Sequence, residues 1–97
     1  MRLASWRLVE ELLDLADVAL ELVDIRDPLA TRSPRLELLI RRRGIPFILV
    51  LNKSDLVPRS IAEGWKKYFE LREGVRTVYI AARDRKGTRV LRRTIKE

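Results

Sequence analysis

At 97 residues, with 46% hydrophobic and 36% charged positions, the chain is sized for one small domain under a heavily charged surface, which excludes a second domain and disorder throughout. It holds neither cysteine nor histidine, so disulfide scaffolds, thiolate or imidazole metal sites, and cysteine or histidine catalysis are removed together. Net charge is +7, of which residues 83–97 carry +5, seven Lys and Arg against Asp84 and Glu97.

Leu3, Trp6, Val9, Leu12, Leu13 and Ala16 recur at three- and four-residue spacing and predict a helix running to about Leu15. Val18 to Val23 is a short aliphatic run between Asp17 and Asp24 and reads as a buried strand. Ser33 followed by Pro34 signals a helix start, with Leu36, Leu39 and Ile40 facing inward and Arg41, Arg42 and Arg43 at the negative end of the dipole as a solvated helix end. Ile45 to Leu51, opened by Gly44 and Pro46, predicts a second strand. Ser60 with Glu63 three residues on has the form of a capping box, opening a helix with Ile61, Trp65, Tyr68 and Phe69 on one face. These aromatics are read as core in preference to a base-stacking platform. After Gly74, Val75 to Ala82 is a third strand, and a last helix begins at Thr88 with Arg85, Arg89, Arg92 and Lys96 recurring along it.

Alternation of helix and strand predicts an α/β fold: a small parallel sheet of about three strands, joined by right-handed crossovers, with helices on both faces. Ligands of such sheets bind beyond the carboxyl ends of the strands. Three segments fall there: Asp24-Ile25-Arg26-Asp27-Pro28, Asn52-Lys53-Ser54-Asp55, and Ala81-Ala82-Arg83. In the first, Arg26 and Asp27 are expected to form a loop ion pair and turn.

Asn52-Lys53-Ser54-Asp55 directly follows the run Phe47 to Leu51. A carboxylate at Asp55 accepts two hydrogen bonds from the ring NH and exocyclic amine of guanine, whereas adenine presents a lone pair and no amine there. Charge-assisted bonds of about 1.5 to 3 kcal/mol each make that difference discriminating. Asn52 is then placed to tie the loop together and reach the other edge of the base, and the stem of Lys53 to cover its face. The alternative for Asp55 is plainer: a cap on the following segment, or a turn whose backbone it satisfies. Four such residues alone are weak evidence, and their place after a buried strand strengthens it.

Taken together, Ala16-Asp17-Val18, Glu21 to Pro28, Asn52-Lys53-Ser54-Asp55-Leu56-Val57-Pro58 and Tyr79-Ile80-Ala81-Ala82 resemble the circularly permuted GTPases of ribosome assembly over nearly the whole chain. In that family the N-K-x-D base-recognition motif and an S-A loop precede the P-loop. The resemblance implies that Asn52, Lys53 and Asp55 read guanine of GTP or GDP, and that the backbone NH of Ala82, beside Ala81, bonds the guanine carbonyl oxygen. Ala81 departs from the usual Ser or Thr, which should loosen the loop, and Ile25 stands where the family usually has Ala.

The phosphate half is missing from these residues. A P-loop needs G-x-x-x-x-G-K-[ST] so that backbone NH groups cradle phosphate while Lys and a hydroxyl serve phosphate and magnesium. No glycine precedes Gly44, only Gly64, Gly74 and Gly87 follow Asp55, and Lys86-Gly87-Thr88 has the letters in the wrong order. The D-x-x-G motif is absent too. Residues 1–97 are therefore expected to be a single domain, the N-terminal portion of a permuted G domain and half of a P-loop GTPase fold, inactive in hydrolysis alone and with magnesium bound only alongside a P-loop. A nucleoside of about 20 heavy atoms at ~0.3 kcal/mol each binds with at best about 6 kcal/mol, and an unfinished site binds in the millimolar range or not at all.

Two other readings stand beside this one. The basic C-terminal helix suits ribosomal RNA, which would make the chain an RNA- or ribosome-binding module with a vestigial nucleotide site. The first strand is expected to be an open edge along which two copies form a homodimer, with Glu21 as partial protection. The longest stretch without charge, Gly44 to Asn52, is nine residues, short of the ~18 needed for a membrane span. Met1 to Trp6 shows no leader pattern, so the cytoplasm is the expected location.

Overall fold

The computed structural model describes residues 6–81 and Ile95. The elements are α1 (Trp6–Asp14), β1 (Ala19–Asp24), α2 (Pro28–Thr31), α3 (Pro34–Arg42), β2 (Phe47–Asn52), a 3-10 turn (Ser54–Leu56), α4 (Arg59–Arg72) and β3 (Arg76–Tyr79). The fold is α/β, a three-stranded parallel sheet in the order β1-β2-β3 flanked by helices. The helix expected from Thr88 lies outside the described residues.

β2 is central, and Ile48, Leu49, Val50 and Leu51 are all buried, as a parallel strand covered on both faces requires. β1 sits at an edge and alternates: Ala19, Glu21 and Val23 are buried while Leu22 is 57% exposed. Ala19 pairs with Phe47 and Asp24 with Asn52, so the two strands end level, and the β2–β3 ladder ends one residue earlier, at Leu51 with Tyr79. Both crossovers step to the adjacent strand in the same direction. With the right-handed hand that such connections almost always take, α3 and α4 must then cover the same face. The packing agrees: Val23, Leu49 and Leu51 meet Ala62 and Phe69 of α4, while Ala19 meets Ile40 of α3 and Leu13 of α1. The opposite face presents Leu20, Ile48, Val50 and Val78.

α3 begins as its sequence predicts, with Ser33 Oγ accepting from Leu36 N at 3.2 Å and Pro34 in the first turn. It ends at Gly44, whose φ of +66° is the left-handed conformation that glycine adopts without strain. α4 differs from expectation. It starts at Arg59, with Pro58 at the cap position and no side chain capping it, so Ser60 and Glu63 form no capping box. The Pro58 carbonyl itself accepts from Ile61 N and Ala62 N, which leaves Ser60 inside the helix. The inward face is Ala62, Trp65 and Phe69, with Ile61 47% and Tyr68 43% exposed. Phe69 is fully buried and stacks on Trp65 at 5.6 Å, and Tyr68 lies edge-on to both, so the aromatics are core and its rim.

Glu21 projects from β1 into a polar seam beneath the loop joining β1 to α3. Only 5% exposed, it accepts from Ser33 N at 2.7 Å through Oε2, while Oε1 meets no donor among the described residues. Burial, and then the Glu37 carboxyl beside it, push the Glu21 carboxyl up to about 8. Both effects favour the neutral acid over the carboxylate. Burial opposes ionisation of Glu37 as well, but Arg32 and the bond from Glu21 outweigh it and hold Glu37 below the ordinary value. Arg32 ties the seam together, donating to Glu37 at 2.9 Å and to Glu73 at 2.8 Å with its guanidinium 5.1 Å from the Phe69 ring centre. Glu21 is therefore not the charged guard on the β1 edge that its position in the sequence implies.

Candidate functional site

The carboxyl ends of the three strands converge on one rim, stitched by main chain. Ile25 N donates to Asn52 O at 3.0 Å, Ile80 N to Leu51 O at 2.9 Å, and Ser54 N to Ile80 O at 3.0 Å. Asn52, Lys53, Asp55 and Ala81 are thereby brought to the same end of the sheet. Ala81 is buried. Ala82 lies outside the described residues.

Within the loop, Asn52 Oδ1 accepts from Lys53 N at 2.9 Å, which ties the turn to itself. Lys53 has φ +67° and ψ +36°, the left-handed region that costs a side-chain-bearing residue about 1–2 kcal/mol. The turn after it is closed by Leu56 N to Lys53 O and Val57 N to Ser54 O, both to carbonyls. Asp55 is exposed, and among the described residues nothing donates to its carboxylate. Its plainer reading, as a cap or turn acceptor, is not what these residues do.

At the end of β1 the expected pair of Arg26 with Asp27 is replaced by another. Arg26 grips Asp24, with Nε donating to Oδ1 at 3.0 Å and Nη2 to Oδ2 at 2.7 Å, while Arg26 N donates to Oδ1 at 2.9 Å. Asp27 instead caps α2 by accepting from Ala30 N at 3.2 Å, with Pro28 in the first turn. The guanidinium folds back on the carboxylate two residues earlier in a bidentate fork. The bonds from Arg26, side chain first and then backbone, hold the Asp24 carboxyl well below the usual carboxylate range, and the same contact raises Arg26. Lys53 Nζ reaches Asp24 Oδ2 at 3.2 Å across the gap between strands.

Leu22, Val23, Asp24, Thr31, Asn52 and Lys53 line a cleft of about 260 Å³ on the β1 side of the loop. It is slightly below the ~300–1,000 Å³ of ordinary small-molecule pockets. Asp55 is not one of its walls. Sequence reasoning gave no role to Asp24 or Thr31, although a carboxylate at a strand end with arginine two residues on was a legible signal for the first. The described residues contain no group of three or more acidic side chains placed to hold a metal ion.

The chain matches no family model. Among curated proteins, it is 44% identical over 91 residues to an uncharacterized GTP-binding protein of Methanocaldococcus jannaschii, covering 94% of this chain and 23% of that protein. It is 43% identical over 91 residues to the guanine nucleotide-binding protein-like 3 homolog of Drosophila melanogaster, covering 15% of that protein. With the ribosome biogenesis GTPase A of Bacillus licheniformis it shares 39% over 74 residues, 76% of this chain and 25% of the other. The chain belongs to the circularly permuted ribosome-assembly GTPase family. It spans a quarter or less of the length of these curated relatives. In this permuted GTPase chain, N-K-x-D lies on the rim at the carboxyl ends of the three strands.

Proposed function

We propose that this chain forms the guanine-reading part of a GTP-binding site in a ribosome-assembly GTPase. The observation that carries the reading is Asp55, a carboxylate exposed at the end of the central strand and unengaged among the described residues, beside an asparagine that closes its own loop. The donors and acceptors present suit a purine base. They do not supply the glycine-rich turn that phosphates need, and no such turn occurs in the 97 residues. Hydrolysis of GTP and binding of magnesium are accordingly assigned to the whole family protein and not to these residues alone. Asn52 and Lys53 hold and cover the base, Asp55 reads its edge, and the Ala81–Ala82 loop meets its carbonyl oxygen.

A titration of the 15N-labelled chain with guanosine and with adenosine, followed by amide shifts, tests this. Guanosine at millimolar concentration should move the resonances of residues 52–55, and adenosine should move them less. Equal responses to the two nucleosides refute the reading. No helix among the described residues is long and apolar enough to cross a membrane. The proposed role in ribosome assembly is what supports a cytoplasmic location.

Residues 83–97, with their +5 charge, support a second contact, to ribosomal RNA. Its affinity should fall steeply with salt, because each phosphate neutralised releases a counterion; an affinity indifferent to salt removes it. The position of β1 at the sheet edge supports a homodimer by strand pairing, and a monomer in sedimentation at high concentration removes that.

A further inference from the structure

We infer that Asp24 is a positioning residue of the guanine site: it anchors the Lys53 side chain across the ends of β1 and β2, presetting the stem that covers the base. The inference rests on the guanine-reading assignment above and adds a residue to which that assignment gives no task.

The parallel register makes Asp24 and Asn52 the last pair of the β1–β2 ladder, so Asp24 lies beside the first residue of the N-K-x-D loop. Lys53 follows in a left-handed conformation, and from there its ammonium reaches back over the strand gap to Asp24 Oδ2 at 3.2 Å. Asp24 is itself immobilised before it meets the lysine. Its carboxylate is held by the Arg26 side chain at both oxygens and by the Arg26 amide. Its own amide donates to Thr31 Oγ1 at 3.0 Å, and that hydroxyl donates to Asp27 O at 2.8 Å, which locks β1 to α2. Asp24 is also mostly sheltered, with a side chain 19% exposed against 49% for Lys53. A rigid, sheltered acceptor facing a long flexible donor fixes the donor. Lysine otherwise loses its rotamer freedom only on binding, and ordering it beforehand transfers that cost to folding.

A double-mutant cycle on guanosine affinity tests this, using Asp24→Asn, Lys53→Ala and the pair, each checked for native amide shifts in β2 and β3. Asp24→Asn keeps the shape and one acceptor for the Arg26 amide but removes the charge. It should weaken guanosine about 3- to 10-fold, the range expected for one rotamer-rich side chain left unordered. In the Lys53→Ala background the same change should have no further effect, whereas a merely structural role for Asp24 would persist there. An Asp24→Asn effect that is absent, or that is undiminished when Lys53 is gone, overturns the inference while leaving the guanosine preference, and with it the functional reading, intact. Loss of that preference in the unsubstituted chain overturns both. A ligand-free readout covers weak binding: the Lys53 ammonium proton resonance should be slowed in exchange in the unsubstituted chain and lost in Asp24→Asn, and identical behaviour in the two overturns the inference.

Discussion

Replacing Glu21 by glutamine should raise the stability of this protein at neutral pH and abolish most of its pH dependence between 5 and 7.5. In the folded chain, burial, with Glu37 alongside, moves the Glu21 carboxyl from the usual 4.5 to about 8, and Arg32 and the Ser33 amide offset only part of this. Between those two values the native state binds a proton that the unfolded chain has released. Stability therefore falls as pH rises, by up to about 1.4 kcal/mol per pH unit, or at most about 3 kcal/mol from pH 5 to 7. For a chain this size that lowers Tm by on the order of 10 °C. Glu37 has the opposite sign, because its value is depressed; its contribution is lost only as pH falls below the ordinary carboxylate range, outside the window. The window is otherwise quiet, since the chain has no histidine and no cysteine. An amide reproduces the protonated acid: its oxygen accepts from Ser33 N and its NH2 donates toward Glu37. Thermal unfolding followed by circular dichroism at half-unit pH steps checks this. A Tm that stays level from pH 5 to 7.5 in the unsubstituted chain, or a glutamine variant no more stable at pH 7.5, refutes the assignment of a proton to Glu21.

Asp55→Asn should weaken guanosine by about 10-fold or more, since the amide turns one of two acceptors into a donor facing a donor. Xanthosine, with a carbonyl in place of the exocyclic amine, should then bind the variant better than guanosine does; the same amide-shift titration decides it, and continued preference for guanosine removes Asp55 from the base edge. Phe69→Ala removes the fully buried ring that Trp65 stacks on and Arg32 covers, and should cost about 3–5 kcal/mol in urea unfolding. A loss below about 1 kcal/mol would place the core elsewhere.

Much of the fold was legible because single elements carried strong local signals. β2 is a continuous apolar run because a central parallel strand is covered on both sides, and Ser33-Pro34 started α3 where it was expected. α2 escaped because four residues are too few for a periodicity, although Asp27 and Pro28 marked its start. The start of α4 was misread because a capping box and an ordinary Ser-x-x-Glu inside a helix share one spelling, and only the extended Val57-Pro58 entry distinguishes them. The place of Asn52, Lys53 and Asp55 at the carboxyl end of the sheet was readable from their position directly after β2. The fork of Asp24 with Arg26 was legible from their spacing, but its contact with Lys53 was not, because that lies in a register bringing residues 24 and 53 together across 29 positions of chain. Glu21 was misread for a related reason. A charge in a strand looks like a guard until the loop that buries it is known.

The main-chain stitching of the rim bears on how such a protein changes over evolutionary time. Ile25 to Asn52, Ile80 to Leu51 and Ser54 to Ile80 are bonds between peptide groups and do not depend on which side chains the residues carry. Substitutions at 53 and 55 therefore leave this stitching in place. The seam of Glu21, Arg32 and Glu37 is the reverse, since each member there satisfies a buried partner. Drift can therefore change rim side chains without breaking the bonds that join the strand ends, while the seam beneath tolerates only changes that preserve its donors and acceptors.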